Sequence, residues 1–175
     1  RILQAAMVVY GEQGYRNSTV ETVCREAGLT KRYFYESYSD SNELLEDCFR
    51  TAVAECVEEL SHEVPAPPIA PRDRARAILA IFFERLRDDP AQARLFLLEA
   101  DGVSPGVSDA MRDAQAAVAD LLAPPDAMVH DGARGSLQRL GAVAGVARIS
   151  SLWVAGGCSV ELEDVAEGAL SLFAG

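Results

Sequence analysis

Apolar residues recur at intervals of three and four along almost the whole chain, the spacing that places side chains on one face of an α-helix. The first run extends from Ile2 to Tyr10 and is followed by Gly11 and Gly14. Further runs continue to Phe173, whereas the strict alternation of apolar and polar residues that marks a strand is almost absent. The pattern predicts an all-α protein of about nine helices, of which three are short, one is long and five are larger.

Two short helices joined by a tight turn are predicted after Asn17. Ser18 and Glu21 have the spacing of a capping box, in which a hydroxyl and a carboxylate each accept a backbone N–H of the first turn. Gly28 ends this helix, because glycine readily adopts the positive φ found just past a helix end. Thr30 can cap the next helix at once. Two helices connected by three or four residues form a helix-turn-helix unit.

A fourth helix of about twenty residues is predicted to begin after Ser39 and to run to His62. Asp40 and Glu43 have capping-box spacing at its start. Four prolines between residues 63 and 71 then end the helical pattern, because proline removes a backbone donor and restricts the residue before it. We expect a three-helix N-terminal domain at residues 1–45 and a larger helical domain at residues 46–175.

Several short motifs within residues 1–50 form a specific combination. They are Ile2-Leu3-x-Ala5-Ala6, Gly14-Tyr15 ahead of Ser18-Thr19, Val23, the run Ala27 to Lys31, Phe34-Tyr35 and Tyr38. In this combination the segment resembles the DNA-binding module of the tetracycline-repressor (TetR) family of bacterial transcription regulators. Beyond Pro71 the resemblance to the family's effector domain is weaker. The resemblance to this family implies a homodimer that binds a palindromic operator on double-stranded DNA.

The short third helix has the features of a DNA-reading element. Its first turn carries Lys31, Arg32 and Tyr33, and a helix N-terminus adds donors and a partial positive charge. In a helix-turn-helix protein these positions reach base edges in the major groove, where Arg or Lys can pair with guanine. We predict that Arg32 and Tyr33 contact bases and that Phe34 belongs to the small core. The full set predicted at the DNA is Thr19, Thr30, Lys31, Arg32, Tyr33, Tyr35 and Tyr38. Thr19, Lys31 and Tyr35 are assigned to phosphates, and Tyr38 to a phosphate or the core.

Charge limits how strongly this surface can bind DNA. The chain has 16 basic and 27 acidic residues, a net charge of −11, and Lys31 is its only lysine. Residues 1–62 carry 6 basic and 11 acidic groups. Ser41 stands where the family often has a lysine, and Arg32 and Tyr33 also depart from its common residues, so the operator sequence cannot be inferred from relatives. We expect a few directed contacts and a weaker salt dependence than that of a strongly basic repressor.

The later helices predict a largely apolar cavity for a small effector, because such sites combine apolar walls with a few polar groups. Gln115 lies on an apolar stripe, and Arg148 interrupts an otherwise apolar helix. Since buried polar groups need partners, these two side chains bond each other, bond the backbone or orient a ligand. The predicted lining residues are Phe82, Phe83, Leu86, Phe96, Met111, Gln115, Arg148 and Trp153.

The last two helices predict a dimer seam. Small residues on the first of them allow close approach of a neighbouring helix, and the second supplies an apolar stripe. The predicted interface residues are Gly141, Gly145, Leu162, Val165, Ala169 and Phe173. Packing of the same residues within one chain is the alternative.

Composition narrows the remaining function classes. With 49% apolar and 25% charged residues, the chain resembles an ordinary globular protein. It has no apolar run of the roughly 18 residues that a membrane span needs, and its start at Arg1 carries no signal segment. We expect a cytoplasmic protein without membrane contact, with further residues upstream. The four cysteines match no zinc spacing, and no catalytic motif is found, so we expect neither a metal, a cofactor nor an enzyme.

These observations favour a ligand-responsive DNA-binding regulator, acting as a repressor that a small, largely apolar effector releases from a palindromic operator. The alternative is a helical small-molecule-binding or interaction protein without specific DNA binding.

Overall fold

Helices account for nearly every part of the chain that the computed structural model describes, namely residues 1–63, 69–99, 103–122 and 132–173. Within these ranges there are nine α-helices and no strand, which confirms the predicted all-α class. The helices are α1 (Ile2–Gln13), α2 (Val20–Ala27), α3 (Lys31–Ser37), α4 (Ser41–Glu63), α5 (Pro71–Asp88), α6 (Pro90–Arg94), α7 (Pro105–Leu122), α8 (Gly132–Ala155) and α9 (Leu162–Leu170). A π-helical turn, Leu95–Glu99, continues α6. None of the described helices is both long and apolar enough to cross a lipid bilayer.

Helix α2 begins at a different cap from the one expected. Thr19 is the N-cap residue, and its Oγ1 accepts a hydrogen bond from the backbone N–H of Thr22 at 3.1 Å. The Ser18 hydroxyl donates instead to the Gly14 carbonyl oxygen at 2.7 Å. The predicted capping box of Ser18 and Glu21 is therefore wrong, because the turn before α2 brings Ser18 over the Gly14 carbonyl.

The turn between α2 and α3 follows the prediction in its backbone. Gly28 has φ 63 and ψ 39, the left-handed conformation that lets the chain leave α2 at once. Thr30 occupies the N-cap position of α3, but its side chain makes no capping hydrogen bond. Helix α3 has only seven residues and is anchored through Phe34, whose side chain is fully buried.

Helix α4 begins at the predicted capping residues. The Asp40 carboxylate accepts from the backbone N–H of Glu43 at 3.0 Å. The Glu43 carboxylate in turn accepts from the hydroxyl and the backbone N–H of Ser39, each at 2.7 Å. These hydrogen bonds lower the pKa of Glu43. They fix the direction in which α4 leaves the helix-turn-helix unit.

Helix α4 contributes to two separate hydrophobic clusters. Leu45 and Phe49 belong to the first cluster, which surrounds Phe34, whereas Leu60 belongs to the second. The first cluster also contains Leu95 and residues of α7, so the core beneath the helix-turn-helix is not built from residues 1–45 alone. The division at residue 45 stays a prediction.

The N-terminal helices touch the rest of the molecule mainly through α4 and α6. A Cβ atom added at Gly11 would lie 3.0 Å from the Ala91 Cβ and 3.1 Å from the Ala91 carbonyl oxygen. Nearby, the backbone N–H of Tyr15 donates to the Glu99 carboxylate at 3.1 Å. Helix α6 therefore packs closely against α1.

Candidate DNA-binding surface and ligand cavity

One side of α3 is exposed to solvent. Lys31, Arg32 and Tyr33 project from its first turn, and the Arg32 side chain is 85% exposed. Tyr35 is 60% exposed on the same helix. The buried Phe34 holds α3 against α2 and α4, so this surface is presented by a rigid support.

Two carboxylates hold the cations of this surface. The Lys31 ammonium donates to Glu21 Oε2 of α2 at 2.9 Å, and Arg32 Nε donates to Glu36 Oε1 at 2.9 Å. The hydrogen bond between Lys31 and Glu21 lowers the pKa of the carboxyl and raises that of the ammonium. Both pairs are exposed to solvent. A phosphate or a base that binds these cations must compete with the carboxylates.

The other residues predicted at the DNA lie in three settings. Thr30 is exposed directly before Lys31. Thr19 is exposed, but its hydroxyl oxygen is engaged in capping α2. Tyr38 packs against the first cluster, and its hydroxyl donates a hydrogen bond to Asp47 Oδ2 at 3.1 Å. Burial, and to a smaller extent this hydrogen bond, raises the pKa of Tyr38 to about 12. Of the two roles left open for Tyr38, this placement favours the core.

A cavity of about 150 Å³ lies among helices α4 to α8. Its walls are almost entirely apolar. Of the eight predicted ligand-binding residues it is lined by Phe82, Leu86, Phe96, Met111 and Gln115. The remaining lining residues are Phe49, Ala52, Val53, Cys56, Val57, Leu60, Ile78, Leu79, Arg85, Asp89, Gln92, Ala93, Leu97, Ala114, Val118, Leu122, Val143, Val146, Ala147 and Phe173.

Three of the predicted lining residues lie elsewhere. Phe83 is fully buried and packs edge-to-face on Trp153, with ring centroids 5.5 Å apart. Trp153 also donates its indole N–H to the Val160 carbonyl oxygen at 2.9 Å, which turns it towards the end of α8. Arg148 is exposed on the outer face of α8, so it does not pair with Gln115. The helical period was correct, but the sequence did not reveal which side of the apolar stripes faces the cavity.

The polar part of the cavity wall was largely missed. Arg85, Asp89 and Gln92 line it together with Gln115, whereas the polar lining residues predicted from the sequence were Gln115 and Arg148. Asp89 caps α6 by accepting from the backbone N–H of Gln92 at 2.9 Å. The signal was present, because Arg85 and Asp89 follow the cavity-lining Phe82 at helical spacing. Among the described residues Gln115 has no hydrogen-bond partner.

The predicted dimer residues divide into exposed and buried positions. Gly141 is exposed, and no atom lies within 4 Å of a Cβ added there. Gly145 is in contact with Leu172 of the same chain. Val165 and Ala169 are buried in the second cluster, where α9 packs on α5. The apolar stripe of α9 thus faces the interior, as in the single-chain alternative.

Two other predicted dimer residues are partly buried. Leu162 and Phe173 pack against the second cluster, and Phe173 reaches the cavity wall. The exposed apolar side chains nearby belong mainly to α8, where Leu137 is 70% and Leu152 57% exposed. With Gly141, Ala144 and Arg148, these two leucines form one exposed stripe along α8, here called the α8 stripe.

Comparisons with known proteins agree with this architecture. Residues 2–48 match the sequence model of the bacterial regulatory proteins of the tetR family. No curated protein matches the chain in sequence. Among solved structures, the transcriptional regulator FadR from Bacillus subtilis in complex with stearoyl-CoA has a TM-score of 0.80 and 17% identity, covering 98% of this chain and 95% of that chain.

Two further regulators have the same fold. FadR from Bacillus halodurans gives a TM-score of 0.79 at 16% identity, with 98% of this chain and 95% of that chain covered. FadR from Thermus thermophilus in complex with lauroyl-CoA gives a TM-score of 0.72 at 18% identity, with 98% and 90% covered. At these identities the similarity establishes the fold. Residues 2–48 therefore carry the sequence pattern of the tetR family of bacterial regulatory proteins, and the chain has the fold of solved regulators such as the FadR proteins.

Proposed function

We propose that the protein is a homodimeric, ligand-responsive transcription regulator that represses by binding a palindromic operator. The observation that carries the proposal is the exposed, basic first turn of α3, held in place by the buried Phe34. Such a turn fits the major groove, and two copies placed about one helical turn of DNA apart read a palindrome. Access to chromosomal DNA makes this a cytoplasmic function.

The α8 stripe is the surface that we assign to the dimer. Its leucines and small residues are exposed in the single chain, and a symmetric dimer buries the same patch of both subunits. This assignment retains Gly141 of the predicted interface residues. It leaves out Val165 and Ala169, which are buried in the core of each subunit.

The cavity is the site that we assign to the effector. Its apolar walls suit an aliphatic chain, and the FadR proteins of the same fold are described with stearoyl-CoA and lauroyl-CoA. We infer an effector with a long aliphatic chain. The tetR family consists of regulators, and no catalytic role is proposed for the cavity.

Helix α6 connects the two sites. Gln92 and Ala93 line the cavity, while Ala91 of the same short helix packs on Gly11 of α1. An effector that displaces α6 therefore moves α1 and the helix-turn-helix unit with it. Release from the operator requires that the effector bind the displaced state more tightly than the operator-binding state.

The test begins with selection of a binding duplex from a random library, followed by fluorescence anisotropy on the selected sequence. Arg32→Ala should weaken binding to this sequence by about five- to 150-fold, because a bidentate base contact contributes roughly 1–3 kcal/mol. The far-UV spectrum should not change, since Arg32 is exposed. Arg87→Ala, on the outer side of α5, is the matched control. Saturating lauroyl-CoA should release the duplex.

The second candidate is a helical ligand-binding protein without specific DNA affinity. It is favoured by one observation, the engagement of both Lys31 and Arg32 by carboxylates. Failure to select any duplex, together with tight binding of lauroyl-CoA, would support this candidate over the regulator.

A further inference from the structure

Arg85 stands out in the wall of the cavity. It is the only cationic residue among the described lining residues, and its side chain is 23% exposed. A guanidinium with so little access to water needs hydrogen-bond acceptors around it. The aliphatic and aromatic lining supplies few of them.

The present partners of Arg85 lie on two neighbouring helices. Its Nη1 is ion-paired with the carboxylate of Glu59 on α4, and its Nη2 donates to Gln92 Oε1 on α6 at 3.4 Å. Glu59 is 50% exposed and does not itself line the cavity. Arg85 therefore connects α5 to α4 from a position at the cavity wall.

We propose that Arg85 anchors the acyl oxygen at the polar end of an aliphatic ligand, either a carboxylate or a thioester carbonyl, and that this oxygen displaces Glu59. The inference rests on the proposed function, because it takes the cavity as the effector site. Burial of the aliphatic chain supplies the net gain in binding free energy. For a carboxylate ligand the exchange at Arg85 costs little, because the half-exposed Glu59 returns to water while the more buried guanidinium keeps a charged acceptor.

The exchange also affects the helix that leads to the DNA. Glu59 lies near the end of α4, whose first residues belong to the core beneath the helix-turn-helix. Displacement of Glu59 removes one connection between α4 and α5. The ligand's polar end would thus act on α4 while its chain fills the cavity.

The first test measures ligand affinity of the full chain by isothermal titration calorimetry with dodecanoate, lauroyl-CoA and dodecan-1-ol. Arg85→Met should weaken binding of the acyl compound that uses this contact about tenfold or more, since hydrogen bonds to charged groups are the strong ones. Dodecan-1-ol should change less than about threefold. Arg87→Met, one exposed arginine further along α5, should leave all three affinities unchanged. The response of dodecanoate or of lauroyl-CoA identifies the acyl group as a carboxylate or a thioester.

The second test concerns the displaced carboxylate. Glu59→Gln should strengthen binding of the responsive acyl compound severalfold, because the competitor for Arg85 has lost its charge. Glu58→Gln, the neighbouring exposed carboxylate that faces His62 at 3.8 Å, is the control and should have no effect. Arg85→Lys, which keeps the charge, should retain more affinity than Arg85→Met and covers the case in which the methionine variant folds poorly.

Two results would overturn the inference. One is an Arg85→Met protein that binds both acyl compounds within twofold of the wild type. The other is failure of both acyl compounds to bind the wild type. If dodecan-1-ol alone binds, the cavity is still the effector site of the proposed function, and only the role of Arg85 is contradicted. If none of the three compounds binds, the role of Arg85 and the effector site are both contradicted.

Discussion

The Lys31 ammonium lies 2.9 Å from the Glu21 carboxylate, a contact that joins the first turn of α3 to the first turn of α2. This contact stabilises the helix-turn-helix only weakly, because exposed ion pairs contribute little. Its main consequence concerns DNA. A phosphate that binds Lys31 must first replace Glu21, so the Glu21 carboxylate lowers the affinity for non-specific DNA.

Glu21→Gln should therefore increase affinity for DNA. We expect a gain of about two- to tenfold, and a salt dependence steeper by about one unit of slope, because the surface that faces the DNA loses one negative charge. The thermal unfolding midpoint should change little. Anisotropy titrations over a series of salt concentrations provide the measurement, and Glu26→Gln, an exposed carboxylate later in α2, is the control. A loss of affinity would mean that Glu21 orients Lys31 for binding.

Substitutions of Phe34 and Tyr35 should have different effects, because the first should lower stability and the second should weaken DNA binding. Phe34 is 0% exposed, and Phe34→Ala should cost about 3–5 kcal/mol of unfolding free energy through lost burial and the cavity left behind. The Tyr35 ring packs edge-to-face on the Phe34 ring, with ring centroids 5.2 Å apart, but Tyr35 is 60% exposed. Tyr35→Ala should therefore cost about 1 kcal/mol or less of unfolding free energy. Tyr35→Ala should instead weaken DNA binding. Urea denaturation followed by anisotropy distinguishes the two, and equal destabilisation by both variants would contradict this assignment.

The helix-turn-helix could be predicted because its signals are local. Gly28 ends α2 and Asp40 caps α4, as the spacing indicated, and Phe34 is buried, as predicted. The choice of Ser18 as the cap was wrong, although Ser18 and Glu21 have capping-box spacing. Only the path of the turn before α2 decides which of Ser18 and Thr19 reaches the helix N–H groups.

The cavity and the packing of α9 could be predicted only in part, because both depend on how helices are rotated against each other. Periodicity identified the stripe that contains Phe82, but not that Phe83 turns to Trp153. It also identified α9 as amphipathic, but the partner of its apolar face is α5 of the same chain. These orientations are set by contacts between helices that are distant in sequence, and the apolar pattern of one helix does not contain that information.

The contact between Gly11 and Ala91 should tolerate no added carbon. Gly11→Ala would bring a Cβ to within 3.0–3.1 Å of Ala91, including its backbone. Because backbone atoms cannot rotate away, we expect a loss of about 1–3 kcal/mol in unfolding free energy. Gly168→Ala, in a helix with nothing within 4 Å, should gain up to about 1 kcal/mol from helix propensity. Chemical denaturation of both variants tests the contact, and a stabilised Gly11→Ala protein would show that α1 and α6 are less closely packed.

The α8 stripe should hold the dimer. Leu152 is 57% exposed in the single chain, so Leu152→Glu should leave each subunit folded. In a symmetric dimer the substitution occurs twice and buries two carboxylates, whose desolvation opposes association. We expect sedimentation of the wild type at twice 18.8 kDa and of the variant as a monomer with an unchanged far-UV spectrum.

Two controls separate this effect from others. Val8→Glu places the same charge on an exposed apolar position of α1, where Val8 is 45% exposed, and should leave the dimer intact. Val165→Glu places it in the second cluster and should unfold the C-terminal helices instead of merely separating the subunits. If Leu152→Glu remains dimeric while Val165→Glu gives a folded monomer, the interface lies on α9, and the α8 stripe must serve another purpose.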